Sequence, residues 1–197
     1  MNRAIFFLFF IISLSFSQNV WGNGTIATSD DFNALSFNPA GLAINHGKLE
    51  GIFFKPDING RLNENGLLYL GNISNGFGVQ QVIEKTTKLL KPHTYHSYKL
   101  GFGLKPIKDL SVGLAVDSDE VAKIGMLYRP YNFLSVGTTY DLTTDGDPLN
   151  AGVGFAFRPT SSHKLTLGLD MIDTYDGEDW GDLSYKPFIE LYPLDGL

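Results

Sequence analysis

The stretch Lys99-Leu100-Gly101-Phe102-Gly103-Leu104-Lys105 places a large apolar residue at every second position, with glycine or lysine between. Side chains of a β-strand point alternately to two faces, so this pattern predicts a strand with one bulky apolar face and one small or polar face. Similar alternation returns at 110–117, 122–129, 134–141, 152–158 and 165–171, with Leu127 an exception on the small face. After Lys48 the one candidate helix, 82–90, is only weakly patterned. The sequence therefore predicts an all-β chain of about ten strands in an antiparallel up-and-down meander.

The small second face bears on what surrounds the strands. In a soluble sandwich the apolar face is the core, and the opposite face carries long charged or Thr-rich side chains because it meets water. In a membrane barrel the large apolar residues face lipid, and small or polar residues face an interior that holds a channel or a plug. Alternation alone leaves both architectures open. The abundance of glycine on the second face favours an outer-membrane-type β-barrel, incomplete at its C-terminus because the hairpin pattern begins again at the end of the chain.

The two ends of the predicted hairpins differ in the sign of their charged residues. A proline with a neighbouring basic or aromatic residue marks one end, at Pro106, Pro130, Pro159 and Pro193. The other ends are acidic, at 117–120, 141–147 and 173–179. Outer-membrane barrels have short periplasmic turns and longer external loops, so we expect the proline turns to be periplasmic. The alternative is that the acidic stretches are ordinary solvated loops.

Composition excludes several classes of protein. The chain of 197 residues has no Cys, which rules out disulfides, thiolate metal sites, a cysteine nucleophile and a lipid-modified N-terminal cysteine. A mean hydropathy near zero argues against a bundle of membrane-spanning helices. With 15 basic and 21 acidic residues the net charge is −6, which argues against nucleic acid as a partner.

The first residues have the layout of an export signal. Asn2-Arg3 precedes an apolar run that ends near Leu14, and small residues stand at Ser15 and Ser17. We therefore predict a cleavable signal peptide over 1–17, and the alternative is a single membrane anchor. The predicted organisation is this signal, an N-terminal segment over 18–47 and a β-barrel domain over 48–197.

The segment before the first predicted strand contains Phe37-Asn38-Pro39-Ala40-Gly41-Leu42-Ala43. This run, with the acidic residues before it, resembles the N-terminal segment of the long-chain fatty acid transporter (FadL-type) outer-membrane proteins and their PorV-like relatives. The resemblance implies a bacterial outer-membrane barrel that transports or scaffolds an apolar molecule or a partner protein, in contact with outer-membrane lipid. It also makes a motif of Asn38, Pro39, Ala40, Gly41 and Leu42.

A second resemblance covers essentially the whole mature chain. The hairpin Tyr128 to Gly137 and the ending Glu190 to Leu197 are similar to the β-rich domain that precedes the protease in some bacterial signal peptide peptidases of the SppA type. This resemblance implies the alternative function, a non-catalytic targeting domain for a fused or associated peptidase whose serine–lysine protease domain lies downstream.

The sequence offers little for catalysis or cofactors. His93 and His96 are three residues apart, so on a strand they point to opposite faces and do not ligate one metal together. The acidic loop supplies only weak metal candidates, at Asp173, Asp176, Glu178 and Asp179, and it lacks the spacing of a calcium loop. No Gly-x-Ser-x-Gly elbow is present. We predict a chain without enzymatic activity and without a cofactor.

Overall fold

A computed structural model describes residues 25–29, 33–44, 48–56, 62–72, 76–88, 91–161, 164–181 and 183–191. The predicted signal peptide, parts of the 18–47 segment and Pro193 lie outside the described residues. Side chains are described for 25–29, 33–44 and 76–81, and for the described residues from Ser97 onward.

The described chain has two short helices followed by a single sheet. Helix α1 spans Ala34–Phe37, and a 3₁₀ helix spans Pro39–Ala43. The strands are β1 Lys48–Pro56, β2 Leu62–Asn72, β3 Phe77–Lys88, β4 Lys91–Ile107, β5 Leu110–Asp117, β6 Val121–Tyr131, β7 Leu134–Thr143, β8 Pro148–Phe157, β9 Leu165–Thr174 and β10 Ser184–Leu191.

These ten strands pair in sequence order, each antiparallel to the next. The prediction of an all-β up-and-down meander is confirmed. Within the described residues β1 pairs only with β2 and β10 only with β9, so the sheet is open, as expected of an incomplete barrel. The stretch 82–90, too weakly patterned to predict as a helix, belongs to β3 over 82–88.

Register keeps the two kinds of side chain on separate faces across many strands. Phe102 lies opposite Leu114, which lies opposite Ile124, whereas Gly103 lies opposite Gly113 and then Gly125. Because the side-chain period is two, this register carries the apolar face and the small face unbroken from strand to strand.

The three described turn prolines lie where the ladder is interrupted or has just ended. The β4–β5 pairing shifts register between Leu104 and Ile107, around Pro106, and the β6–β7 pairing shifts between Tyr128 and Tyr131, around Pro130. Proline has no N–H to donate, so it is tolerated at such bulges and strand ends. Pro159 lies two residues after Phe157, the last residue of β8. We call the three hairpin turns at Pro106, Pro130 and Pro159 the proline rim, and the loops at the other strand ends, 117–121, 141–148 and 173–184, the acidic rim.

The sheet curves around residues 25–29 and 33–44, which we call the inner segment. The Ser36 hydroxyl donates to Gln80 of β3 at 3.1 Å, and the Thr28 hydroxyl donates to Glu190 of β10 at 2.9 Å. A segment lying on a flat sheet would keep one side open to water, yet Ala27, Leu35 and Leu42 are at most 1% exposed. The sheet therefore wraps around the inner segment. The face that holds the segment is concave, and the opposite face is convex.

The buried apolar residues belong mostly to the inner segment. Leu35 and Leu42 are 1% and 0% exposed. The other buried apolar residues are Ile26, Ala27, Ala34 and Ala40 of the inner segment and Ala115, Leu127 and Ala156 of the concave face. Leu127, the exception in the alternation, thus contributes to the core on the inner side.

Candidate functional site

The predicted motif residues lie at the centre of the concave face. Asn38 caps the 3₁₀ helix, because its side-chain oxygen accepts the backbone N–H of Ala40 at 3.1 Å. Pro39 occupies the first helical position, where its missing N–H has no helical partner to lose. Pro39, Ala40, Gly41 and Leu42 are all buried.

Asn38 also ties the inner segment together and to the sheet. Its Nδ2 donates to the backbone carbonyl of Ile26 at 2.9 Å and to that of Met126 in β6 at 3.0 Å. One fully buried side chain thus satisfies three backbone groups from three parts of the chain. Such groups would each cost about 1–3 kcal/mol if left buried without a partner.

Glycines in the sheet provide the space for the inner segment. A Cβ on Gly137 would lie 2.5 Å from the Ile26 oxygen and 3.0 Å from Nδ2 of Asn38. On Gly113 or Gly125 it would lie within 3.0 Å of atoms of the segment at Asn38–Ala40. Any larger side chain at these positions would displace the segment. The inner segment packs directly on the glycine backbone, and this close packing explains both the glycines in the strands and the burial of the motif.

The start of the inner segment is held by polar side chains of the later strands. Asp170 of β9, 3% exposed, accepts the backbone N–H of Ile26 at 2.9 Å. Ser135 of β7 donates its hydroxyl to the carbonyl of Ala27 at 2.6 Å, and Arg129 donates to the Ser135 hydroxyl at 3.0 Å. Arg129 also reaches the Ala27 carbonyl at 3.3 Å.

The sequence patterns did not single out these anchoring residues. The sequence feature that could have indicated them is a polar or charged residue in the middle of a strand on the small face, as at Ser135 and Asp170. Their partners are backbone groups more than a hundred positions earlier in the chain, which no local pattern indicates.

A polar row crosses the concave face near the acidic rim. Lys123 of β6 forms an ion pair with Asp141 of β7, with Nζ to Oδ1 2.6 Å, and both side chains are less than one-fifth exposed. Asn150 of β8 donates to Asp141 at 3.4 Å and accepts from the Thr174 hydroxyl of β9 at 3.1 Å. Side chains of four successive strands are thereby joined above the inner segment.

The convex face is apolar and uncovered. Phe155 and Leu167 are 43% and 37% exposed, whereas Ala156, the neighbour of Phe155 on the strand, is 2% exposed. The other exposed large residues of this face are Phe77, Tyr98, Leu100, Phe102, Leu104, Leu114, Val116, Ile124, Met126, Tyr128, Tyr140, Phe157, Tyr185 and Ile189. Within the described residues no second layer of protein covers this band.

Aromatic rings cluster at both ends of the apolar band. At the proline rim, Tyr131 stacks on Phe133 with ring centres 5.1 Å apart, and Phe133 meets Phe157 edge-on at 6.2 Å. At the acidic rim, Trp180 lies 5.5 Å from Tyr175 and 6.2 Å from Tyr140.

The weak metal candidates of the acidic loop have another role in part. The Asp176 carboxylate accepts the backbone N–H groups of Glu178 and Asp179, each at 3.0 Å, and these bonds hold the pKa of Asp176 below its ordinary value. Among the described residues, no three His, Asp or Glu side chains come together as metal ligands. In the same part of the chain, no helix is long and apolar enough to span a bilayer.

The predicted turn residues lie together as far as they are described. Pro106, Pro130 and Pro159 share one end of the sheet, and the acidic loops share the other. His93 and His96 both lie in β4, where they pair with Thr86 and Ile83 of β3. Comparison with protein-family models, with curated proteins and with solved structures gives no match for this chain.

Proposed function

We propose that this chain is a non-enzymatic outer-membrane protein whose convex face contacts lipid and whose inner segment fills the interior. The observation that carries the proposal is the reversal of burial in β4–β9: large apolar side chains are exposed, and small or polar ones are buried. A water-soluble monomer rarely exposes an apolar patch larger than a few hundred Å². In a bilayer the same band is favourable, because its apolar side chains are removed from water and contact lipid hydrocarbon.

The filled interior favours a scaffold or anchor over an open channel. From β4 to β8 the glycines of the concave face lie against the inner segment. A cavity beside Leu35, Lys99 and Lys123 measures about 10 Å³, which is room for about one water molecule. Free passage of a solute or an apolar molecule along this face would require the segment to be elsewhere.

The proposal is tested by membrane fractionation and liposome permeability. The full chain, expressed with its N-terminus intact in a bacterium with two membranes, is expected in the outer-membrane fraction and resistant to alkaline extraction. After reconstitution it is expected to leave liposome swelling in sugar solutions at background. Recovery in the soluble fraction would refute the membrane placement, and porin-like swelling would refute the scaffold.

A matched pair of variants distinguishes insertion into the membrane from nonspecific adsorption to it. Phe155→Asp places a charge in the middle of the convex band, where a charge facing lipid costs roughly 2–4 kcal/mol or somewhat less for an acid. Asn132→Asp makes the same change of charge in an exposed turn. The first variant is expected to lose membrane-inserted protein and the second to retain it. Equal recovery of both would contradict a lipid-facing convex face.

A further inference from the structure

The proline rim differs in charge from the rest of the chain. Its turns, 105–109, 129–133 and 157–164, hold five basic residues and one acid: Lys105, Lys108, Arg129, Arg158, Lys164 and Asp109. The whole chain has net charge −6, and the acidic-rim loops contain no basic residue. An anionic surface would therefore repel the acidic-rim loops and attract the proline rim. The β3–β4 hairpin, with Lys85, Lys88 and Lys91, ends on the side away from the proline rim and is a separate basic stretch.

The basic residues of the proline rim divide into two groups. Arg129 is engaged with Ser135 and Ala27, and Arg158 is 7% exposed, so both serve the interior. Lys105, Lys108 and Lys164 are exposed. Among the described residues, Asp109 in the first turn and Glu190 near the end of β10 are half-buried carboxylates on this side of the sheet, and Glu190 accepts a hydrogen bond from Thr28.

Apolar side chains stand beside the exposed lysines. Ile107 is 61% exposed and Tyr131 60%, and Phe133 and Phe157 complete the aromatic cluster. Neighbouring hairpins of the rim are about 10 Å apart, so the patch extends roughly 20 Å along the sheet end. Aromatic rings with adjacent lysines are typical of the level where hydrocarbon meets headgroups.

We propose that the proline rim binds anionic lipid headgroups through Lys105 and Lys108, with Ile107 and the aromatic cluster at the bilayer interface. The inference rests on the proposed membrane placement and adds the lipid class and the end of the sheet that meets it. Charge complementarity selects a phosphate-bearing bilayer surface, and the apolar half of the patch selects a bilayer over a soluble acidic protein.

The test is vesicle binding by the full chain, diluted from urea into phosphatidylcholine vesicles with or without one-third phosphatidylglycerol and measured by flotation. Each lysine near an anionic surface contributes about fivefold in binding, so Lys105→Gln with Lys108→Gln is expected to weaken binding to the anionic vesicles roughly 30-fold. The corresponding double arginine variant is expected to bind as the original chain does. High salt is expected to abolish the difference.

A control at the other end separates local from global charge. Thr144→Asp changes net charge in the same direction at the acidic rim, where Thr144 is exposed, and it is expected to alter binding by no more than about twofold. Unchanged binding of the double glutamine variant, or an equal loss with Thr144→Asp, would overturn the inference. Lysine-dependent binding to soluble polyglutamate without binding to anionic vesicles would overturn it in favour of an acidic protein partner.

Protease protection of the strands in neutral vesicles reports insertion separately. Protection in neutral vesicles, together with binding to the anionic vesicles that does not depend on the lysines, would overturn this inference and leave the proposed membrane placement standing. Lysine-dependent binding with strands that stay cleavable would support the lipid preference and refute the placement. Absence of both would refute both.

Discussion

Replacing Gly137 by alanine tests whether the inner segment is packed against the sheet as described. The new Cβ would lie 2.5 Å from the Ile26 oxygen, and ordinary contact begins at 3.4 Å, so Ile26 must move by about 0.9 Å. Its carbonyl accepts from Asn38 at 2.9 Å, and its N–H donates to Asp170 at 2.9 Å. A shift of this size takes both distances beyond hydrogen-bonding range.

The expected loss follows from those two bonds. A neutral hydrogen bond contributes about 1 kcal/mol and a bond to a charged group about 1.5–3 kcal/mol, so Gly137→Ala should lower the free energy of unfolding by about 3 kcal/mol. The assay is urea unfolding in detergent micelles, followed by intrinsic fluorescence. Gly181→Ala is the matched control, because nothing lies within 4 Å of its Cβ position, and it should change stability by less than about 0.5 kcal/mol.

A double variant makes the test sharper. If Gly137→Ala acts through the bond between Ile26 and Asn38, combining it with Asn38→Ala should cost less than the two single losses together. Full additivity, or a Gly137→Ala variant as stable as Gly181→Ala, would refute the packing of the inner segment against β7.

Three further predictions concern single side chains. Asn38→Ala leaves three backbone groups without their partner and should lower the free energy of unfolding by about 3 kcal/mol in the same urea assay. Ser36→Ala removes one hydrogen bond and should lower it by about 1 kcal/mol or less. Equal losses would contradict the role of Asn38. Asp170→Ala should cost more than Asp170→Asn, because the amide oxygen still accepts from Ile26; the reverse order in chemical unfolding at neutral pH would refute it. The pKa of Asp176 is lowered in the folded chain. The carboxylate therefore stabilises the loop fully above the ordinary pKa of 3.8, and this stabilisation is lost as pH falls through the lower pKa of the folded chain. The amide NMR signals of Glu178 and Asp179 should therefore titrate with a midpoint below 3.8, and a midpoint above it would contradict the capping.

The strands were predictable because their signal is local. Leu100, Phe102 and Leu104 alternate with glycine and lysine in the sequence itself, and register extends that alternation across the sheet. Proline turns and acidic loops likewise mark strand ends, because proline cannot donate to the ladder and charged loops are solvated. The ten-stranded meander and its open edges agree with the strands and turns that these local patterns predict.

The occupant of the concave face was not predictable in detail. The small face indicated an interior with a channel or a plug, and the motif at Asn38–Leu42 was recognisable, but nothing local joins the two. Asn38 meets Met126 across 88 positions, and Ile26 meets Asp170 across 144. Such contacts depend on how the sheet curves, which is a property of the whole array of strands.

Spin labels on single cysteines test most directly whether the apolar side chains of the convex face contact lipid. The chain has no native Cys to remove. Labels at Leu114, Ile124 and Phe155, on three strands of the convex face, should collide with oxygen and be shielded from a water-soluble nickel complex in bilayers. A label at Asn132, in an exposed turn, should show the reverse. Nickel access at the three strand positions equal to that at Asn132, or shielding from both reagents as in a protein core, would contradict the account.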